Sequence, residues 1–191
     1  MKKWIITLIS GALVTMSYAQ EINHQNTLRL GLNRAFFGSG DIIGPALYVE
    51  YSRELNSFLA ITPRIMSAYA NRNDDNLISH ASDFGTSVSL RITPFPYNGF
   101  RRIKVDIGGL YHRFIQSYGS VGSVDIYDTV IMSDSNYRKD DLFGFIGSVN
   151  ISILDNDRFD LGGRLDLLTS LDEGYLNADS FQYGLFFGVK F

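Results

Sequence analysis

The sequence predicts an all-β fold, an eight-stranded antiparallel up-and-down transmembrane β-barrel. Three observations carry this expectation. Eight stretches alternate apolar and polar residues with a period of two. Short and long connections alternate between them. The last stretch puts Tyr183, Leu185, Phe187, Val189 and Phe191 on one face, with Gln182, Gly184, Phe186, Gly188 and Lys190 on the other. Successive strand side chains point to opposite faces, so this strand has an apolar wall that ends on an aromatic ring.

The first strand is expected over Thr27 to Phe37, with Leu28, Leu30 and Leu32 opposite Arg29, Gly31 and Asn33. The second runs from Pro45 to Leu55, with Leu47, Val49 and Tyr51 opposite Tyr48, Glu50 and Ser52. The third, Phe58 to Tyr69, sets Leu59, Ile61 and Ile65 against Ala60, Thr62 and Arg64. The fourth, Asp83 to Thr93, sets Phe84, Thr86, Val88, Leu90 and Ile92 against Gly85, Ser87, Ser89, Arg91 and Thr93. The fifth, Arg102 to Gln116, opposes Ile103, Val105 and Ile107 to Lys104, Asp106 and Gly108, with a bulge expected at Gly108-Gly109. The sixth, Leu142 to Leu154, opposes Phe143, Phe145, Val149, Ile151 and Ile153 to Gly144, Ser148, Asn150 and Ser152. The seventh, Phe159 to Leu171, opposes Leu161, Leu165 and Leu167 to Asp160, Arg164 and Asp166, and the closing strand is the eighth.

The short connections are Glu54 to Ser57, Pro94 to Phe100 and Asp155 to Arg158, rich in turn-forming Asn, Asp, Gly and Pro. Gly38 to Gly44, Asn71 to Ser82, Tyr118 to Asp141 and Asp172 to Ser180 read as the longer loops of the opposite, extracellular side. Pro63 conflicts with this scheme, because it cannot donate to a ladder and a closed barrel has no free edge. A bulge there, or a later start of the third strand, is the expected remedy.

Lys2 and Lys3, the apolar stretch Trp4 to Val14 and Ser17-Tyr18-Ala19 read as a signal peptide over residues 1–19, which leaves 20–191 as one barrel domain. The chain has no Cys, so no disulfide framework, thiolate metal site or lipid-anchoring cysteine is expected. Without Lys2 and Lys3 the net charge moves from −3 to −5, with no basic run to suggest nucleic acid. Mean hydropathy near zero is what a barrel with one polar and one apolar face gives.

Alternation alone does not say which face is outside. The polar face collects Arg29, Glu50, Arg64, Arg91, Lys104, Asp106, Asp160, Arg164, Asp166 and Lys190, a mixed set that suits a narrow interior closed by ion pairs. Aromatic residues gather near strand ends, as in the two belts at a membrane boundary. Gly31, Gly85, Gly144, Gly162, Gly184 and Gly188 share the polar face and leave room inside. A secreted lipocalin-like barrel, apolar face inward around a ligand, is the competing arrangement.

On these residues the chain resembles the small eight-stranded bacterial outer-membrane barrels, the class of the OmpA transmembrane domain and the OmpX-like proteins. Phe191 and its alternating predecessors Tyr183, Leu185, Phe187 and Val189 look like the signal that the barrel-assembly machinery of that class recognises. The resemblance implies a monomer in the outer membrane of a Gram-negative cell, with lipid and lipopolysaccharide as surroundings. OmpA-type proteins continue into a peptidoglycan-binding domain. No segment after Phe191 corresponds to it, so that function is not expected.

Catalytic chemistry is thinly represented. His80 and Ser82 share a strand face, a spacing similar to that of the outer-membrane lipid A deacylases, but their acidic partner has no matched position and only Glu173 is nearby. His24 reads as a solvated tail residue, and His112 and Arg113 as rim packing. Asp74-Asp75 and Asp134-Ser-Asn136 lack calcium-loop spacing, and neither a metal nor a cofactor is expected. The expected role is structural or adhesion-like, with a largely plugged lumen and Tyr118 to Asp141 as the contact segment for an extracellular ligand. A narrow solute channel, the soluble barrel and a lipid A-modifying enzyme are the alternatives.

Overall fold

A computed structural model describes residues 26–38, 42–74, 77–94, 102–124, 130–171 and 179–191. Eight strands close into one antiparallel barrel in sequence order. They are β1 (Asn26–Phe37), β2 (Ile42–Glu54), β3 (Leu59–Asp74), β4 (Leu77–Ile92), β5 (Ile103–Val124), β6 (Val130–Asp155), β7 (Phe159–Ser170) and β8 (Ser180–Lys190). The seam pairs β1 with β8 from Thr27 opposite Lys190 to Phe37 opposite Ser180. Backbone bonds of 2.9 Å in both directions between Asn26 and Phe191 finish it.

The register sets the barrel's shape. From Leu30 the ladder rungs lead through Val49, Ile65, Thr86 and Tyr111 to Phe143, whose carbonyl accepts from the N–H of Leu171, the residue just after β7. In the other direction they lead through Phe187 to Leu161 of β7, ten residues earlier. A stagger of ten over eight strands fixes a tilt of about 40° and a radius of roughly 8 Å. Such a cylinder has room for side chains inside and little else.

The apolar face is outside. Leu30, Leu32, Val88, Ile107, Phe143 and Leu185 each expose 60% or more of their surface. An apolar ring of this kind is unfavourable in water and favourable in hydrocarbon. The lipocalin-like arrangement needs the opposite polarity and is overturned.

Several boundaries differ from the sequence expectation. Asn71 to Ser82 is not a long loop, because β3 runs to Asp74 and β4 begins at Leu77. Tyr118 to Asp141 is largely strand, since β5 reaches Val124 and β6 starts at Val130. Asp74 and Asp134 to Asn136 therefore lie on strands. Beyond the membrane both sheet faces meet water, so pairing continues after apolar alternation has ended. The other connections shift as well: β2 starts at Ile42, inside the expected Gly38 to Gly44 loop. Residues 95–101 and 172–178, and with them Glu173, lie outside the described residues.

No bulge occurs at Gly108-Gly109, where the registers with β4 and β6 run straight through. The shifts fall instead between Tyr118 and Ser120, Val121 and Val124, and Ser152 and Leu154. Pro63 needs neither remedy. It stays in register opposite Val88, while the β2–β3 ladder passes from Glu50–Arg64 to Arg53–Ile61 without rungs at Tyr51 and Ser52. The missing donor thus removes local pairing and leaves the register intact. Two inner-end turns use one device: Asn56 Oδ1 accepts from the Phe58 and Leu59 N–H groups at 2.8 and 2.9 Å, and Asn156 Oδ1 from those of Arg158 and Phe159. An Asn side chain that bonds backbone two residues on mimics a turn of the main chain.

Candidate functional site

The candidate site is the interior. Glu50, on β2, is fully buried at its centre. Its Oε1 accepts from Arg29 Nη1 at 3.0 Å and Arg91 Nη2 at 2.6 Å, and its Oε2 from Arg164 Nη1 at 2.6 Å. Arg64 Nε lies 3.6 Å from the same oxygen. One carboxylate thus gathers guanidinium groups from β1, β3, β4 and β7.

The other carboxylates complete the set. Asp106 takes Arg91 Nε at 2.7 Å and lies 3.1 Å from Arg164 Nη2. Asp166 accepts from Arg164 Nε at 2.6 Å and Arg64 Nη1 at 3.1 Å, and Asp160 from Arg29 Nε at 3.0 Å. Lys104 reaches Asp155 at 3.3 Å and Asp160 at 3.5 Å, while Lys190, its side chain also largely buried, pairs with Asp155. Buried charges persist when partners and extra hydrogen bonds replace their water. Asn33 and Asn150 supply such bonds, donating to Asp166 at 3.1 Å and to Asp106 at 3.0 Å.

Aromatic rings and glycines hold the guanidinium groups. Arg64 and Arg164 lie 5.2 and 5.1 Å from the Tyr48 ring centre, and Arg29 lies 4.9 Å from that of Phe186, in cation–π range. A Cβ on Gly31 would sit 2.1 Å from the Tyr48 ring, and one on Gly188 2.8 Å from Arg29 Cγ. Both positions therefore require the absence of a side chain.

Above the charges the lumen turns apolar. Along β5 the inward residues run Lys104, Asp106, Gly108, Leu110, His112 and Phe114. Leu110 belongs to a layer with Tyr48, Met66, Ile146, Leu168 and Phe186. Phe114 packs on Phe37, ring centres 5.8 Å apart, within an outer layer of small and apolar residues. His112 lies between these layers, fully buried, with Nδ1 2.8 Å from Asp83 Oδ1.

His112 is thus a lumen residue and not rim packing. The bulge expected at Gly108-Gly109 had broken the phase that carries it inward. Asp83 shares the inward phase of Arg91, Ser89 and Ser87, the signal from which the pair was legible. Asp155 read as a turn residue, and only the register shows that the turn leaves it beneath Lys104 and Lys190. Arg113 points outward, bound to Asp141 through Nε at 2.7 Å and Nη2 at 3.1 Å.

His80 and Ser82 lie on the outward face of β4, both partly exposed. The Tyr69 hydroxyl stands 3.4 Å from His80 Nδ1, with the rings stacked. No carboxylate among the described residues orients that imidazole. Tyr183, Leu185, Phe187, Val189 and Phe191 are all exposed on the outer wall. His24 lies outside the described residues.

No protein-family model and no curated protein matches the chain. Solved structures do. Ail, the attachment invasion locus protein of Yersinia pestis, aligns with a TM-score of 0.56 at 9% identity, over 89% of this chain and 100% of that one. The outer membrane protein OprG from Pseudomonas aeruginosa aligns at 0.52 and 10% identity, over 87% and 95%. A major outer membrane protein from Thermus thermophilus aligns at 0.52 and 13% identity, over 87% and 99%. With its closed sheet, apolar exterior and charged interior, the chain has the fold of the small eight-stranded outer-membrane β-barrels.

Proposed function

We propose that the protein is an integral outer-membrane barrel whose interior is a structural plug and whose work is done at the cell surface. Residues 1–19 serve as its export signal, and the outward face of β8 as its assembly signal. The observation that carries the surface role is the length of β5 and β6, 22 and 26 residues against 12 and 11 for β7 and β8. A tilted crossing takes about 9–11 residues. The remainder extends the β5–β6 hairpin on the order of 25 Å past the membrane.

Among the described residues, β6 outward of Phe143 has only β5 as a ladder partner. Such an edge offers unpaired backbone groups to an added strand, one of the recurring ways in which a sheet binds a peptide. The reading is therefore adhesion-like and non-enzymatic. His80 and Ser82 stand on the outward wall, where the Tyr69 hydroxyl is the neighbour of His80 Nδ1.

Two measurements test it. Removing residues 120–134 should leave the heat-modifiable gel mobility of the barrel intact and abolish binding of expressing cells to a matrix-coated surface. Undiminished binding would refute the surface role. Planar bilayers should show no steady current. A large one would refute the plug and favour the narrow channel.

A further inference from the structure

We propose that the outer wall across β4, β5 and β6 seats one acyl chain of a phosphate-bearing membrane lipid, with Arg113 on its head group. The inference rests on the membrane reading above and adds to it a defined site.

A cavity of about 230 Å³ opens on this wall, lined by Phe84, Thr86, Tyr111, Arg113 and Asp141 with the Gly85 backbone. The ladder arranges its side chains in rows. Arg113 stands opposite Phe84 and Asp141, and Tyr111 opposite Thr86 and Phe143. The Tyr111 and Phe143 rings pack with centres 5.1 Å apart. The next outward row toward the membrane centre is Val88, Gly109 and Phe145.

At Gly109 the wall falls away, because a Cβ there would meet nothing within 4 Å. The same holds at Gly147, two residues along β6 from Phe145. Val88, Phe145, Ile107 and Leu167 stand on either side. A furrow therefore continues the cavity toward the middle of a belt covered mostly by Leu, Ile, Val and Phe. The solvent at this depth is hydrocarbon, and a chain lying in the furrow gains wall contacts that a flat surface does not give.

The cavity lies where the belt ends. The row above it holds Ser82, Ile115 and Lys139, with Lys139 exposed. Arg113 and Lys139 against Asp141 leave this end of the furrow with one net positive charge. Asp141 engages Arg113 through Nε and Nη2, so Nη1 faces away from that carboxylate. Guanidinium matches phosphate oxygens in the same forked geometry. A lipid phosphate competes with Asp141 for that fork.

The test uses the full barrel in nanodiscs of phosphatidylcholine with a minor share of phosphatidylglycerol, then native mass spectrometry after mild detergent release. One phosphatidylglycerol should stay with each barrel. Gly109→Leu combined with Gly147→Leu should lose it. Arg113→Gln should reduce the preference for phosphatidylglycerol to its bulk share, and Asp141→Asn should raise it. Equal retention by the filled-furrow variant, or no change on Arg113→Gln, overturns the site. Dimers that replace the bound lipid make the occupant a second copy and overturn it too. If the leucine variant does not fold, the two rim variants, which touch no core residue, decide alone. Heat-modifiable mobility in the same samples separates a failure to insert, which sinks the membrane reading, from insertion without retention, which sinks only this site.

Discussion

Glu50 Oε1 and Arg91 Nη2 lie 2.6 Å apart, although 41 residues separate them and their strands, β2 and β4, share no ladder. The contact crosses the lumen, so the barrel is braced through its middle as well as around its wall. Replacing Glu50 by Ala removes the common anion of Arg29, Arg91 and Arg164 and leaves them buried without it. A loss of about 3–5 kcal/mol is expected, read from urea unfolding of the barrel in lipid vesicles. A loss no larger than that of an exposed control substitution would contradict the central role of Glu50.

Gly31 and Tyr48 form a second coupled pair. A methyl group at Gly31 would overlap the Tyr48 ring, which Arg64 and Arg164 hold in place. Gly31→Ala should destabilise by about 1–3 kcal/mol, in the range for overpacking. In a Tyr48→Leu background much of that penalty should disappear. Additive effects in the double-mutant cycle would mean that the ring is free to move aside.

The outer wall gives a depth-dependent prediction. Leu30 lies within the apolar belt and is 60% exposed. Leu30→Arg should cost about 2–4 kcal/mol of folding free energy in a bilayer, as for cations near the midplane of a barrel's lipid face. The same substitution at Phe191, at the inner rim, should cost clearly less. Equal penalties would place the belt elsewhere on the wall.

At the outer rim, the hydrogen bond from Arg113 holds the Asp141 carboxyl below the usual carboxylate range, and the same bond raises Arg113. The depressed group is Asp141, so the pair's contribution is present above the carboxyl's ordinary range and is lost as pH falls through its lowered value. A carboxyl-carbon NMR titration of Asp141 should show a midpoint that rises toward the ordinary value in Arg113→Gln. An unchanged midpoint would mean that the pair does not persist in lipid.

Much of this was legible in the chain, because a membrane barrel imposes one rule along each strand. Leu28-Arg29-Leu30 and Phe159-Asp160-Leu161 both obey it, which is why the lumen charges could be listed from alternation alone. The rule lapses where its physical cause does. Past Arg113 and Asp141 there is no hydrocarbon to demand an apolar face, so the outer halves of β5 and β6 read as loop. Neighbours on one ladder, such as Arg29 and Glu50 or Arg91 and Asp106, follow from hairpin pairing, but the partners of Glu50 on β4 and β7 were beyond reach for a different reason. Pairing across the lumen depends on the stagger of ten residues, and no single strand encodes that offset.

That stagger has a consequence for how the ring closes. Arg29 belongs to the first strand and Arg164 to the seventh, yet both end on Glu50 of the second. Until β8 has joined β1, at least one of these cations faces an incomplete set of anions. A seam slipped by two residues would keep every Leu facing lipid and every charge facing inward, so the wall alone would accept it. The interior would not, because Arg29 would move off Asp160, and Arg164 off Glu50, although the β1–β2 ladder would keep Arg29 beside Glu50. The buried charges therefore act as a tumbler lock, which opens to one alignment of the first and last strands and rejects its neighbours.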